Sequence, residues 1–183
     1  MSNPVSALNG ARFAGFAQVR EIGPLGMITL RAKPGTPGLE AAIQAATGCA
    51  VPGLRRIEVN GDKAAGWMSP DEYLLILPYD QVAAAMSAVS DALKGEHHMV
   101  ANVSDARAVF RIEGAKADQV LRKLSPVDFD GVQVGDLRRS RAAQVAAAFW
   151  KDEGGFTLVC FRSVAAYVMG LLTHSAQPGS ELA

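Results

Sequence analysis

Apolar positions organise the chain from Met27 onward. Met27-Ile28-Thr29-Leu30-Arg31 reads as a short strand closed by Pro34, Gly35 and Pro37. Leu39, Ala42, Ile43 and Ala46 then recur at i, i+3, i+4 and i+7, which predicts a helix with one buried stripe. Thr36 is its expected N-cap, Pro37 its first residue and Gly48 its stop. Arg55 to Val59 predicts a strand, Asn60-Gly61 a turn, and Ala64 to Met68 the returning strand. Tyr73-Leu74-Leu75-Ile76-Leu77 is continuously apolar, as a strand covered on both faces is. A helix from Asp80 follows, with Val82, Met86, Val89 and Leu93 along one side and Gly95 at its end.

The same order then returns. Ala106, Ala108, Phe110 and Ile112 alternate with Arg107 and Arg111, and Ala117, Val120, Leu121 and Leu124 form a helical stripe ended by Pro126. Leu137–Trp150 and Phe156–Phe161 read as strands around the turn Asp152-Glu153-Gly154-Gly155, and Ser163 is the expected cap of a last helix with Val164, Tyr167, Val168 and Leu171. Trp67 and Trp150, Tyr73 and Phe156, and Met86 and Met169 are each 83 positions apart, and Leu30 and Ile112 are 82 apart. A period this long suits a duplicated half-domain rather than a solenoid unit. The expected class is α+β. Two strand–helix–hairpin–helix halves, at about 27–97 and 98–174, would make one domain over 27–183, with antiparallel or mixed sheets related by a pseudo-twofold. Residues 1–26 are punctuated by glycine and read as an arm with little structure of its own. Phe13, Phe16, Val19 and Ile22 imply that it lies on this domain or on another chain.

Composition narrows the function classes. About half of the 183 residues are apolar, which is enough for a sizeable core. Lys plus Arg balances Asp plus Glu at 18 each. That disfavours a nucleic-acid binder, which draws its affinity from surplus cations, and leaves association with protein partners unopposed by self-repulsion. The two cysteines, Cys49 and Cys160, read as buried thiols in a reducing compartment. No apolar run approaches the roughly 20 residues that span a bilayer. Residues 1–8 lack the basic segment and hydrophobic run of a signal peptide, so a cytoplasmic location without membrane attachment is expected.

Candidate chemistry is sparse. His97 and His98 are adjacent after Gly95, where neighbouring side chains should diverge, and His174 lies in the last helix as an expected surface cap. No His-x-x-x-His or Cys-x-x-Cys spacing occurs, and neither do the glycine motifs of dinucleotide or phosphate loops or of a serine nucleophile. Asp71-Glu72 after Ser69-Pro70 reads as a turn, and Asp128 and Asp130 as a solvated loop. Arg55-Arg56 and Arg138, Arg139 and Arg141 are the basic clusters. On a strand Arg139 and Arg141 share a face opposite Arg138, which reads as a solvated or subunit-facing strand, with an anion site as the other reading. The residues therefore nominate no catalytic, cofactor-binding or metal-binding position.

Four stretches carry a resemblance. Trp67-Met68-Ser69-Pro70-Asp71-Glu72-Tyr73-Leu74-Leu75-Ile76 resembles the tryptophan, Pro-Asp-Glu, aromatic-leucine strand of sarcosine oxidase gamma subunits. Asn102-Val103-Ser104-Asp105-Ala106-Arg107 with Phe110-Arg111-Ile112-Glu113-Gly114 is similar to that family's Asp-Val-Ser, arginine and hydrophobic-x-hydrophobic-x-Gly stretch. Val120-Leu121 through Ser125-Pro126-Val127-Asp128-Phe129 resembles its Cys-Pro-Leu-Asp-Leu segment, and Arg162 to Tyr167 its Arg-Ser-Phe-Ala-Asp-Tyr helix start. Asn102, Asp105, Ser125 and Ala166 depart from the family pattern, where an acid, a histidine, a cysteine and an acid stand. The resemblance implies a fold like the folate-binding domain of the glycine cleavage T protein. It also implies a non-catalytic place in an assembly with alpha, beta and delta subunits that oxidises sarcosine to glycine and passes the one-carbon unit to tetrahydrofolate. FAD, FMN, NAD and tetrahydrofolate would sit in the partner subunits, zinc in delta, and no cofactor in this chain. The alternative is a stand-alone folate-binding protein or one-carbon transferase of the same fold.

Overall fold

The computed structural model describes residues 4–182. In chain order they form β1 (Arg12–Ala14), β2 (Gln18–Ile22), β3 (Gly26–Arg31), α1 (Leu39–Thr47), β4 (Ile57–Asn60), β5 (Lys63–Ser69), β6 (Glu72–Leu77), α2 (Val82–Ala92), β7 (Met99–Asn102), β8 (Arg107–Glu113), α3 (Ala117–Arg122), β9 (Leu137–Ala142), β10 (Val145–Asp152), β11 (Gly155–Phe161) and α4 (Ala165–Ser175). Short 3-10 turns precede α2, β8 and α4. The chain divides into two compact units, Leu25–Ser104 and Met1–Pro24 with Asp105–Ala183.

The Leu25–Ser104 unit carries an antiparallel sheet in the order β4-β5-β6-β3-β7. Ile28, Leu30, Tyr73, Leu75 and Leu77 on one face bury against Leu39, Ala42, Ile43 and Ala46 of α1 and Val82, Ala85 and Val89 of α2. Each large side chain removed from water here is worth about 1.5–3 kcal/mol. The helix α1 starts two residues later than Thr36 and Pro37 predict. Gly38, at φ 82, precedes it in the left-handed region, where a Cβ would stand 2.2 Å from the Ala92 carbonyl oxygen. Gly48 ends α1 as expected, at φ 70, its N–H donating to the Gln44 carbonyl. The β4–β5 turn sits one residue further on than Asn60-Gly61: Asn60 pairs with Lys63, and Gly61 and Asp62 form the loop. The helix α2 ends at Ala92, ahead of Gly95.

In the other unit the antiparallel order is β1-β2-β8-β11-β10-β9. Its core joins Phe110, Ile112, Phe149, Phe156 and Leu158 of the sheet to Val120 and Leu121 of α3 and Val168 and Leu172 of α4. Phe129 stacks on Phe149 at 5.4 Å and meets Phe156 edge-on at 5.9 Å. The span Leu137–Trp150 is two strands, β9 and β10, reversed at Ala143, which takes φ 50. Ser163 is not the cap of α4: it lies in the 3-10 turn Arg162–Val164, and Val164 holds the N-cap position.

Residues 12–22, expected to have little structure of their own, form the hairpin β1–β2, and β2 pairs with β8. Ala17 and Val19 enter the core. The buried carboxylate of Glu21 accepts hydrogen bonds from the Ser6 hydroxyl and from the N–H groups of Leu8 and Gly10. Arg162 donates to the carbonyls of Val5 and Ser6, so the segment is tied down at both its donors and its acceptors.

The elements recur in order along the chain. Each half runs strand, helix, three antiparallel strands and helix, with Trp67 and Trp150, Tyr73 and Phe156, and Met86 and Met169 in matching elements. One strand is exchanged. The strand β2, early in the chain, flanks β8, with Val19 opposite Ile112, while β7 flanks β3, with Val100 opposite Leu30. Each sheet is therefore completed by a strand from outside its own repeat.

Candidate functional site

The duplicated halves place a groove at matching positions, where the turn after the first strand meets a hairpin. In the Leu25–Ser104 unit this groove encloses about 750 Å3 between the β3–α1 turn, the β5–β6 hairpin and the segment before β7. Ser69-Pro70-Asp71-Glu72 is the expected turn, with Pro70 and Asp71 as its loop. Its carboxylate faces the end of β3. Arg31 donates through Nη2 to Asp71 at 2.7 Å, and the Ser69 hydroxyl donates to the other carboxylate oxygen at 3.0 Å. The Arg31 hydrogen bond, followed by that of Ser69, holds the Asp71 carboxyl below the usual carboxylate range. The pair is exposed, so it orients the hairpin more than it stabilises the fold. His97 and His98, adjacent after Gly95, both belong to the segment that borders this groove. Both line this groove with Lys33 and Thr36, and His98 Nδ1 donates to the Glu96 carbonyl at 2.9 Å.

The matching groove in the other unit is smaller, about 420 Å3, and lies between the β8–α3 turn and the β10–β11 hairpin. Arg111, buried on β8, forks onto Asp152 at 2.6 and 2.5 Å, meets Thr157 Oγ1 at 3.2 Å and reaches Glu113 at 3.3 Å. Arg20 donates to the same Glu113 at 3.1 Å, and that bond leads the effects that lower the Glu113 pKa. A bidentate guanidinium of this kind fixes the hairpin geometrically. Gly155 is required there: at φ 143 its Cβ would stand 2.1 Å from the Ile112 carbonyl oxygen.

The other singled-out residues are scattered. Asp130 pairs with Arg122 at 2.8 Å, and Asp128 accepts from the Asp130 N–H, as in a solvated loop. Arg55 takes φ 58 and lies with Arg56 ahead of β4 instead of within it. Arg139 and Arg141 are exposed on β9, whereas Arg138 is half-buried and bonded to Asp136 at 2.9 Å. His174 is exposed in the last turn of α4. Asn102 accepts from the Ser104 N–H and hydroxyl, Ser125 bonds to Ser140, and Ala166 is exposed at the start of α4. Cys49 and Cys160 are buried, and burial pushes the Cys160 thiol up to about 11, far from an activated nucleophile. Among the described residues no three His, Cys, Asp or Glu side chains converge as metal ligands, and no helix is long and apolar enough to cross a membrane. The sequence reading missed one surface feature: Phe161, half-exposed at the end of β11, lies under the Arg107 guanidinium at 4.3 Å. The terminal position of Phe161 in an otherwise buried apolar run was the available signal.

Comparison with known proteins places the fold first. It is shared with the glycine cleavage system aminomethyltransferase T from Bartonella henselae, at a TM-score of 0.61 and 11% identity over 86% of this chain and 45% of that one. Closer likeness joins it to a chain of the heterotetrameric sarcosine oxidase from Corynebacterium sp. U-96, at a TM-score of 0.80 and 27% identity over 90% of this chain and 87% of that one. The sarcosine oxidase subunit gamma of Corynebacterium sp. strain U-96 is 34% identical over 153 residues, 80% of this chain and 73% of the relative. The model of the sarcosine oxidase, gamma subunit family matches residues 31–177. The chain belongs to the sarcosine oxidase gamma subunit family.

Proposed function

We propose that the chain serves as the non-catalytic gamma subunit of a heterotetrameric sarcosine oxidase, supporting oxidative demethylation of sarcosine to glycine with transfer of the one-carbon unit to tetrahydrofolate. The observation that carries this reading is a family match over residues 31–177 combined with likeness to a chain of a heterotetrameric sarcosine oxidase over 90% of this chain. The partners are the alpha, beta and delta subunits in the cytoplasm, and FAD, FMN, NAD and tetrahydrofolate are held among them. The residues present fit a supporting role. The thiol of Cys160 is kept protonated, and the charged groups in the two grooves orient turns through Asp71–Arg31 and Asp152–Arg111.

The second reading, a free-standing folate-binding protein or one-carbon transferase, draws on the aminomethyltransferase-like fold. One preparation separates the two. The isolated full chain is expected to be colourless, to form no hydrogen peroxide from sarcosine, and to give no heat on titration with micromolar reduced folate. Peroxide formation by the chain alone, or tightly held flavin, overturns the supporting role; folate binding in that range moves the reading to the second.

A further inference from the structure

We infer that the row Arg141–Ala146–Phe161–Arg107, across four strands of the six-stranded sheet, seats an acidic, partly apolar segment of a partner subunit. The inference rests on the assembly proposed above and identifies the surface and the chemistry that meets it. The row follows from strand register. Arg141 stands opposite Ala146 on β10, the β10–β11 ladder ends at Ala147 and Cys160 so that Ala146 and Phe161 come next, and Phe161 stands opposite Arg107 on β8. Cys160 and Ala147, on alternate positions, point into the helix-covered core, so Phe161 and its row occupy the other face.

The composition of this row is that of an interface centre. Phe161 keeps 49% of its surface exposed and is stiffened by the Arg107 guanidinium stacked on it at 4.3 Å. Arg141 and Ala146 are exposed, and a small residue between aromatic and arginine leaves room for an incoming side chain. In the neighbouring row Ala148, Val159 and Val109 are buried, so the exposed patch is bounded there and Arg141 is its outermost cation. Aromatic and arginine side chains in such a setting are the groups most enriched among binding hot spots. The arginine fork matches carboxylate geometry, which fixes the sign of the occupant.

Guarding a sheet edge against aggregation is the other use of edge-strand cations. The duplication argues against it. On the matching edge strand β4 (Ile57–Asn60) the position corresponding to Arg141 is Asn60, with Arg56 at the other end of the strand and Val59 65% exposed, so the architecture does not require an arginine at the Arg141 position. A nucleic-acid occupant would also meet arginine and phenylalanine, but the balance of 18 cationic and 18 anionic residues provides no wider electrostatic field for one.

The test uses the full chain co-expressed with the other subunits of its oxidase, comparing wild type with Arg141→Glu and Phe161→Ala. Each variant is expected to lower the partner recovered per gamma chain by about tenfold or more at physiological salt. Its isolated chain should melt within a few degrees of the wild type. If Arg141→Glu shifts the melt further, Arg141→Gln replaces it: lost recovery with a melt inside that range supports the inference, and full recovery overturns it. Wild-type assembly with undiminished assembly of the variants sinks this inference and leaves the proposed function standing. A wild-type chain that captures no partner sinks both. Single-stranded DNA that binds the wild type at physiological salt and displaces the partner overturns the assignment to a protein segment.

Discussion

A chain beginning at Leu25 is expected to lose the fold of its Asp105–Ala183 portion and to collect in the insoluble fraction. The strand β2 (Gln18–Ile22) is the neighbour of β8 on the side away from β11, and its removal bares a seven-residue strand whose central five residues are buried. An unpaired apolar strand of that length is a template for aggregation. The loss also strips Ala17 and Val19 from the core. Five strand pairs and two core side chains amount to several kcal/mol against a typical total of about 5–15 kcal/mol. The sheet of the Leu25–Ser104 unit is complete without residues 1–24, so soluble material should melt with only the part of the far-UV signal that this unit supplies. Soluble yield and circular dichroism of the truncated and full chains decide the matter. An unchanged melting curve would show that β2 is dispensable.

The second large effect is expected at Phe149. Its ring is 1% exposed and packs against both Phe129 and Phe156, at 5.4 and 6.3 Å. Phe149→Ala removes one of three mutually packed rings and leaves a cavity beneath the paired strands β9, β10 and β11. The expected loss is about 3–5 kcal/mol. For a chain of this length that lowers Tm by about 6–20 °C. Phe161→Ala is the control: the same truncation at a half-exposed strand end should shift Tm by no more than a few degrees, since surface changes are usually within about 0.5 kcal/mol. Equal shifts for the two would mean that burial, as described, does not govern the stability of this unit.

Much of the architecture was legible because period and punctuation agreed. The stripe Leu39, Ala42, Ile43, Ala46 became the buried side of α1, and Tyr73–Leu77 became a strand buried along its length. The duplication was visible because aromatic and sulfur-bearing positions recur at one spacing, although the exchange of β2 and β7 was not. Which strand flanks which is decided by long-range pairing, and Gln18–Ile22 offers only Val19 and Ile22 as apolar signals. Capping was legible where the backbone itself forces it, at Gly48, and misread at Thr36 and Ser163. There a left-handed glycine and a 3-10 turn override the side-chain cap. Surface chemistry was least legible. Arg107 and Phe161 are 54 residues apart in the sequence and meet only because β8 pairs with β11, and His97 and His98 share a groove that depends on the turn after β3.

Co-expression of the tagged chain with the reading frames of the proposed partner subunits, followed by affinity capture and native mass spectrometry, puts the central claim to its most direct test. The account predicts a complex containing one copy each of four different subunits, coloured by flavin and active on sarcosine. Recovery of this chain alone, with the partner subunits present and soluble in the same extract, would contradict it.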